Sequence, residues 1–111
     1  EKNAYDMLQP ESMVLGGITP LIEIGNLSKI AKKEIVPHHG GGDIGVIAHI
    51  HLLSTWENAP YCEMLNDPPL SSYKHKFFIF NENPEVVDGK IKVPDSPGLG
   101  VTIKEDLIIR E

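Results

Sequence analysis

The chain has one cysteine, Cys62, in 111 residues. No disulfide can close within it, and the expected compartment is a reducing cytoplasm. Basic residues are also scarce. Ten Lys and Arg against sixteen Asp and Glu leave a net charge of −6 and a pI near 5.3. That balance counts against a nucleic-acid partner, whose phosphates need a basic face, and against a polybasic membrane patch. No apolar run approaches the length that spans a bilayer, and the opening Glu1, Lys2, Asn3 lacks the apolar core of a signal peptide. Internal repeats and low-complexity tracts are absent. Zinc spacings such as Cys-x-x-Cys or His-Glu-x-x-His are absent too, and His49 and His51, two apart on a helix, do not face the same side. Gly40, Gly41 and Gly42 are followed by no Gly-Lys-Ser/Thr, so they form no Walker loop.

What remains is an ordinary globular composition, 41% hydrophobic and 23% charged, sufficient for one domain with a modest core. Nine prolines, most of them from Pro60 onward, make the second half loop-rich. Residues 4–8 read as a short strand stopped by Gln9 and Pro10, with Glu11 at its C-terminal end. Residues 12–17 read as a loop broken by Gly16 and Gly17. Thr19 and Pro20 then open a helix as N-cap and first helical residue, with Leu21, Ile24, Leu27, Ile30 and Ala31 at helical spacing and Lys32 and Lys33 in the last turn. Residues 34–37 form a second strand. From Asp43 a second helix carries Val46, Ile47, Ile50 and Leu53 on one face and ends near Trp56. Residues 61–65 read as a third strand carrying Glu63. The order strand, helix, strand, helix, strand predicts parallel βαβ units. After Leu70 the pattern changes to an apolar run of strand length over 77–80, a hairpin over 86–93 with an Asp88-Gly89 turn, a loop over 94–100 and a short final element over 104–109.

Chemistry concentrates where strands end. His38 follows an apolar run and precedes a glycine turn into a helix start, a place where backbone can approach a ligand closely and free N–H groups meet an anion. Glu11, His38 and Glu63 stand at three strand ends that a parallel sheet lines up on one edge, the edge where α/β folds do chemistry. A carboxylate beside an imidazole orients the ring for proton transfer near neutral pH. His39, Gly40 and Gly41 are the candidate substrate-binding residues. Each candidate also has a plain reading: Glu11 as a solvated loop acid, His38 as a structural histidine, and Glu63 as a surface acid.

Four pieces in order, Gln9-Pro10-Glu11, Gly16-Gly17-Ile18-Thr19, Val36-Pro37-His38 and the closing Val93-Pro94-Asp95-Ser96-Pro97-Gly98-Leu99-Gly100-Val101, resemble the C-terminal part of the mandelate racemase/muconate lactonizing group of the enolase superfamily. Within it the likeness is nearest to acid-sugar dehydratases of the galactonate and gluconate kind. The resemblance implies an α/β fold, a partial (β/α) barrel made of its last three strands, over residues 1–70. It makes residues 71–111 an irregular return segment packing on a capping domain. It implies removal of the proton next to a substrate carboxylate, with Mg²⁺ in the parent enzyme stabilising the enediolate. Glu11 and His38 then correspond to the carboxylate–histidine dyad, and Glu63 to the acid that meets the substrate carboxylate. The family usually has aspartate at the position of Glu11, and His39 competes with His38 for the histidine position.

The family's Mg²⁺ ligands and second base lie on earlier strands, and none is present here. A whole barrel takes roughly 250 residues. The expectation is therefore a fragment of a Mg²⁺-dependent sugar-acid dehydratase, inactive alone, whose partners are a sugar acid, the remainder of the parent chain and further copies of itself. A racemase or cycloisomerase of the same superfamily, and a non-catalytic module that pairs through an open strand edge, are the alternatives.

Overall fold

The structure is a computed structural model and describes residues 3–38, 43–69, 71–72 and 77–109. His39, Gly40 and Gly41, the expected substrate-binding residues, lie outside the described residues.

Two short strands, β1 (Met7–Leu8) and β2 (Glu34–Ile35), pair in parallel with Met7 opposite Glu34 and Leu8 opposite Ile35. Backbone bonding continues past both strands. Val36 N–H donates to the Leu8 carbonyl at 2.9 Å, and His38 N–H donates to the Pro10 carbonyl at 2.9 Å. Pro10 and Pro37 each lack an N–H, so neither can donate, yet the Pro10 carbonyl still accepts. This extension fixes the residues after both prolines side by side.

The crossover between the strands holds two helices. α1 (Ser12–Leu15) occupies a stretch expected to be loop. Glu11 caps it by accepting from Met13 N–H, and Gly16, at φ 92°, closes it. The glycine pair that reads as a breaker is the stop signal of a single helical turn. α2 (Ile18–Ile30) begins one residue before the expected cap. Gly17 is its N-cap, and Pro20 is its third residue, still in the first turn where a missing N–H costs nothing. Its buried residues are Leu21, Gly25 and Ser28, while Leu27 and Ile30 of the expected apolar stripe are 63% and 78% exposed. The helix ends in a Schellman arrangement: Lys33 N–H donates to the Ser28 carbonyl, Lys32 N–H to that of Lys29, and Lys32 takes φ 54°. Lys32 and Lys33 therefore lie just beyond the last turn, where Lys29 is the basic residue.

Gly25 is buried for a contact reason. A Cβ there would lie 2.5 Å from Trp56 Cε2, so the indole rests on the helix backbone. Gly25→Ala gains about 0.5–1 kcal/mol of helix propensity but overpacks this contact, which costs about 1–3 kcal/mol. The expected result is a lower Tm together with a red-shifted emission from Trp56, the single tryptophan. An unchanged emission with a raised Tm would contradict the contact.

α3 (Asp43–Leu53) is buried nearly all round: Val46, Ile47, Ala48, His49, Ile50 and Leu52 are each 6% exposed or less. The expected one-sided stripe understates this, because the helix is enclosed on two sides. One side faces α1 and α2. The other joins Phe77 and Phe80 in the core, with Cys62, Met64, Ile91, Val93 and Leu99 packed against it. His51 Nε2 reaches the Leu99 carbonyl at 3.0 Å and ties α3 to the C-terminal loop.

Two expected strands do not form. Residues 61–65 pair with no strand, because the outer edge of β2 is already used: Ile35 N–H donates to the Asn58 carbonyl at 3.1 Å, in the turn before that segment. The Asn58 side chain also donates to Ser28 Oγ and to the Lys33 carbonyl, closing this corner. The apolar run over 77–80 is a turn in which only Phe80 makes a bridge, to Ile103. The expected hairpin does form, as β3 (Val86–Val87) and β4 (Lys90–Ile91), antiparallel. Asp88 and Gly89 turn it at φ 49° and 71°, the positive pair a two-residue hairpin turn requires. A 3₁₀ turn, Glu105–Leu107, supplies the final short element. Among the described residues no helix is long and apolar enough to cross a membrane.

Candidate functional site

The parallel ladder brings Glu11 and His38 together. Each follows the proline that ends its strand, and the His38–Pro10 backbone bond holds them level. Glu11 Oε2 lies 3.6 Å from His38 Nδ1. The Glu11 side chain is 16% exposed and that of His38 is 52% exposed, so the carboxylate backs a ring that opens to solvent. At 3.6 Å the two side chains face each other without a formed hydrogen bond, a looseness usual for catalytic pairs before substrate binds.

Glu63 reaches the same edge by another route. Gln9 donates from Nε2 to Glu63 Oε2 at 2.8 Å, so Glu63 is tied to the residue that precedes Pro10 and Glu11. No contact joins Glu63 to His38 among the described residues. A cavity of about 590 Å³ lies between α3 and the hairpin, lined by Ile50, Tyr61, Cys62, Met64, Ile91 and Val93 among others, and none of Glu11, His38 and Glu63 lines it. In this wall burial, then the Glu63 charge, pushes the Cys62 thiol pKa up, which disfavours the thiolate.

Sequence reasoning missed His49. It is 2% exposed, its Nε2 lies 2.8 Å from Ser12 Oγ and 3.6 Å from Glu11 Oε1. The signal was present: an imidazole amid Val46, Ile47, Ala48 and Ile50 on a buried helix must find polar partners. Burial pushes the His49 pKa down; the Glu11 charge opposes this and the His38 charge adds to it. A histidine whose folded pKa lies below its unfolded value binds fewer protons folded. Its contribution is present above about pH 6.5 and is lost as pH falls through the folded value. Between pH 7.5 and 5.5 the wild-type Tm should fall more than that of His49→Gln, which has no proton to gain. Equal slopes would show that His49 does not titrate this way.

A family model described as Enolase C-terminal domain-like matches residues 1–107. The chain belongs to that family. As an enolase C-terminal domain it has a fold of the α/β-barrel type, and its two parallel strands with helical crossover are a part of such a barrel. It is 36% identical over 104 residues to the arabinonate dehydratase of Saccharolobus solfataricus, a match covering 94% of this chain and 26% of that protein. The chain thus spans about a quarter of that relative's length. It is 31% identical to L-talarate dehydratase from Polaromonas sp. JS666, solved with Mg and L-glucarate, at a TM-score of 0.74 over 93% of this chain and 25% of that one. An enolase from Pantoea ananatis with bound D-gluconate and Mg is likewise 31% identical, at a TM-score of 0.77 over 92% of this chain and 24% of that one. Among the described residues of this enolase C-terminal domain, no group of three or more His, Cys, Asp or Glu is arranged to hold a metal ion.

Proposed function

We propose that this chain is the C-terminal portion of a sugar-acid dehydratase, contributing the last three strand positions of the barrel through residues 1–70 and a return segment, residues 71–111, that packs on a capping domain. The observation that carries the reading is the 3.6 Å approach of Glu11 to His38 at the C-terminal edge of two parallel strands. The sugar-acid dehydratases among its relatives support the substrate class. In this reading the coil that carries Glu63 stands where the third strand would run.

In this reading Glu11 holds the His38 ring with Nδ1 toward the carboxylate and leaves Nε2 facing substrate. His38 gives its Nε2 proton to the departing hydroxyl, and Glu11 stabilises the imidazolium that exists before the transfer. Glu63, steadied by Gln9, meets the substrate at its carboxylate end. Substrate charge suits a helix start, and His39, Gly40 and Gly41, which precede α3 in the sequence, are the candidate substrate-binding residues in this reading. The magnesium present in two of the solved relatives finds no ligand set among the described residues, and no step here runs through it.

The test is the product formed from arabinonate, gluconate and talarate by the complete protein that carries this chain. A 2-keto-3-deoxy acid with loss of water is the expected product. Inversion at the carbon next to the carboxylate, without loss of water, would replace the dehydratase reading by a racemase. Absence of any turnover on sugar acids would leave the chain as an interaction module.

A further inference from the structure

Glu11 is held from behind. Oε1 accepts from Met13 N–H at 3.1 Å and lies 3.4 Å from Ser12 Oγ and 3.6 Å from His49 Nε2, while Oε2 faces His38 Nδ1. The two carboxylate oxygens thus have different neighbours, one set inside the protein and one at the open edge. Ser12 and His49 are 4% and 2% exposed and lie 2.8 Å apart, so this backing is buried and closely joined. Ser12 N–H also points to His49 Nε2, at 3.4 Å. A backbone N–H can only donate, so Nε2 is the accepting nitrogen of a neutral ring and the Ser12 hydroxyl at 2.8 Å donates to it; Nε2 and Oε1, both acceptors, form no bond with each other, so His49 acts on Glu11 through Ser12.

A glutamate has one more rotatable bond than an aspartate, and ordering its arm costs side-chain entropy. A lone backbone cap does not decide which oxygen turns outward. The fixed start of α1 does: Ser12, anchored to α3 by His49, sets the turn that Glu11 caps, and the buried side of that turn takes Oε1. We infer that His49 and Ser12 are positioning residues that aim Glu11 Oε2 at His38 and thereby select the His38 tautomer with the proton on Nδ1. The inference deepens the proposed acid/base pair and rests on it.

The experiment is ¹⁵N NMR of the histidine rings in the full 111-residue chain, at about pH 8.5, alkaline enough for neutral imidazoles. The ring nitrogen that carries the proton is set by the partner of the other, and nitrogen shifts report it directly. The wild type should show His38 mostly as the Nδ1–H tautomer. Glu11→Ala removes the partner, and the Nδ1–H to Nε2–H ratio should fall several-fold. Ser12→Ala and His49→Leu should lower it in the same direction, and His49→Gln, whose amide can still accept from Ser12, should restore it. If Glu11→Ala shifts His38 but Ser12→Ala and His49→Leu do not, the pair stands and the positioning role is overturned. If Glu11→Ala leaves the ratio unchanged, the pair itself is overturned and the positioning role with it. Should His49→Leu fail to fold, Ser12→Ala, which removes one hydroxyl, decides the matter.

Discussion

His38→Asn should lower kcat for sugar-acid dehydration by about 10²–10⁴-fold in the complete protein, the range a positioned acid/base group supplies. Asparagine keeps polar contact near Glu11 but cannot carry a proton back and forth, so the loss falls on the chemical step. The expected KM for the sugar acid stays within a few-fold of wild type, because substrate binding is shared with other groups. Glu11→Gln keeps the length of the side chain and removes its charge. It should also lower kcat, by a smaller factor, since the ring survives while its orientation and the stabilisation of its protonated form are lost. Steady-state assays of both variants are the check. Near-normal turnover of His38→Asn would remove this histidine from the mechanism, however close it lies to Glu11.

The second large effect concerns stability. Phe77 is 1% exposed and sits with Val46, Ile47, Ile50 and Phe80 in the cluster that joins α3 to the C-terminal segment. Phe77→Ala should cost about 3–5 kcal/mol, the transfer of a ring plus the cavity it leaves. Against a total of about 5–15 kcal/mol for a folded domain, that is enough to loosen the C-terminal segment from α3. Phe78 is a built-in control: it is the next residue and is 59% exposed, so Phe78→Ala should change little. Urea unfolding of the two variants separates them. Equal midpoints would mean that the run over 77–80 does not pack as described.

That neighbouring pair also shows what a sequence can and cannot disclose. An apolar run of four residues announces burial, but the choice between strand and turn depends on whether a partner edge is free. At residues 77–80 a single bridge from Phe80 is all that forms. At residues 61–65 the edge of β2 is taken by the Asn58 carbonyl. Neither competition is written in the local residues. The Glu11–His38 pair was legible because two prolines end two strands and place the next side chains level. The expected Asp88-Gly89 turn was legible for a similar reason, since few residues accept positive φ. α1 was hidden because its cap is the very glutamate read for chemistry, and its stop glycine looks like a loop breaker. His49 was weighed only as a metal ligand. Its neighbour Ser12 lies 37 positions away, and no periodicity reports a contact of that kind. The strand expected to carry Glu63 does not form, and the Glu63 carboxylate accepts from Gln9 instead.

The family places the chain in the α/β-barrel class, and the backbone ladder of its fold brings Glu11 and His38 level. The most direct test of that geometry is a crystal structure of the complete protein with an aldonate bound. The pair now 3.6 Å apart should close to a hydrogen bond of about 2.7–3.2 Å between Glu11 Oε2 and His38 Nδ1, with His38 Nε2 within reach of the hydroxyl that leaves. A bound sugar acid that lies away from His38, or a Glu11 turned from the ring, would contradict it.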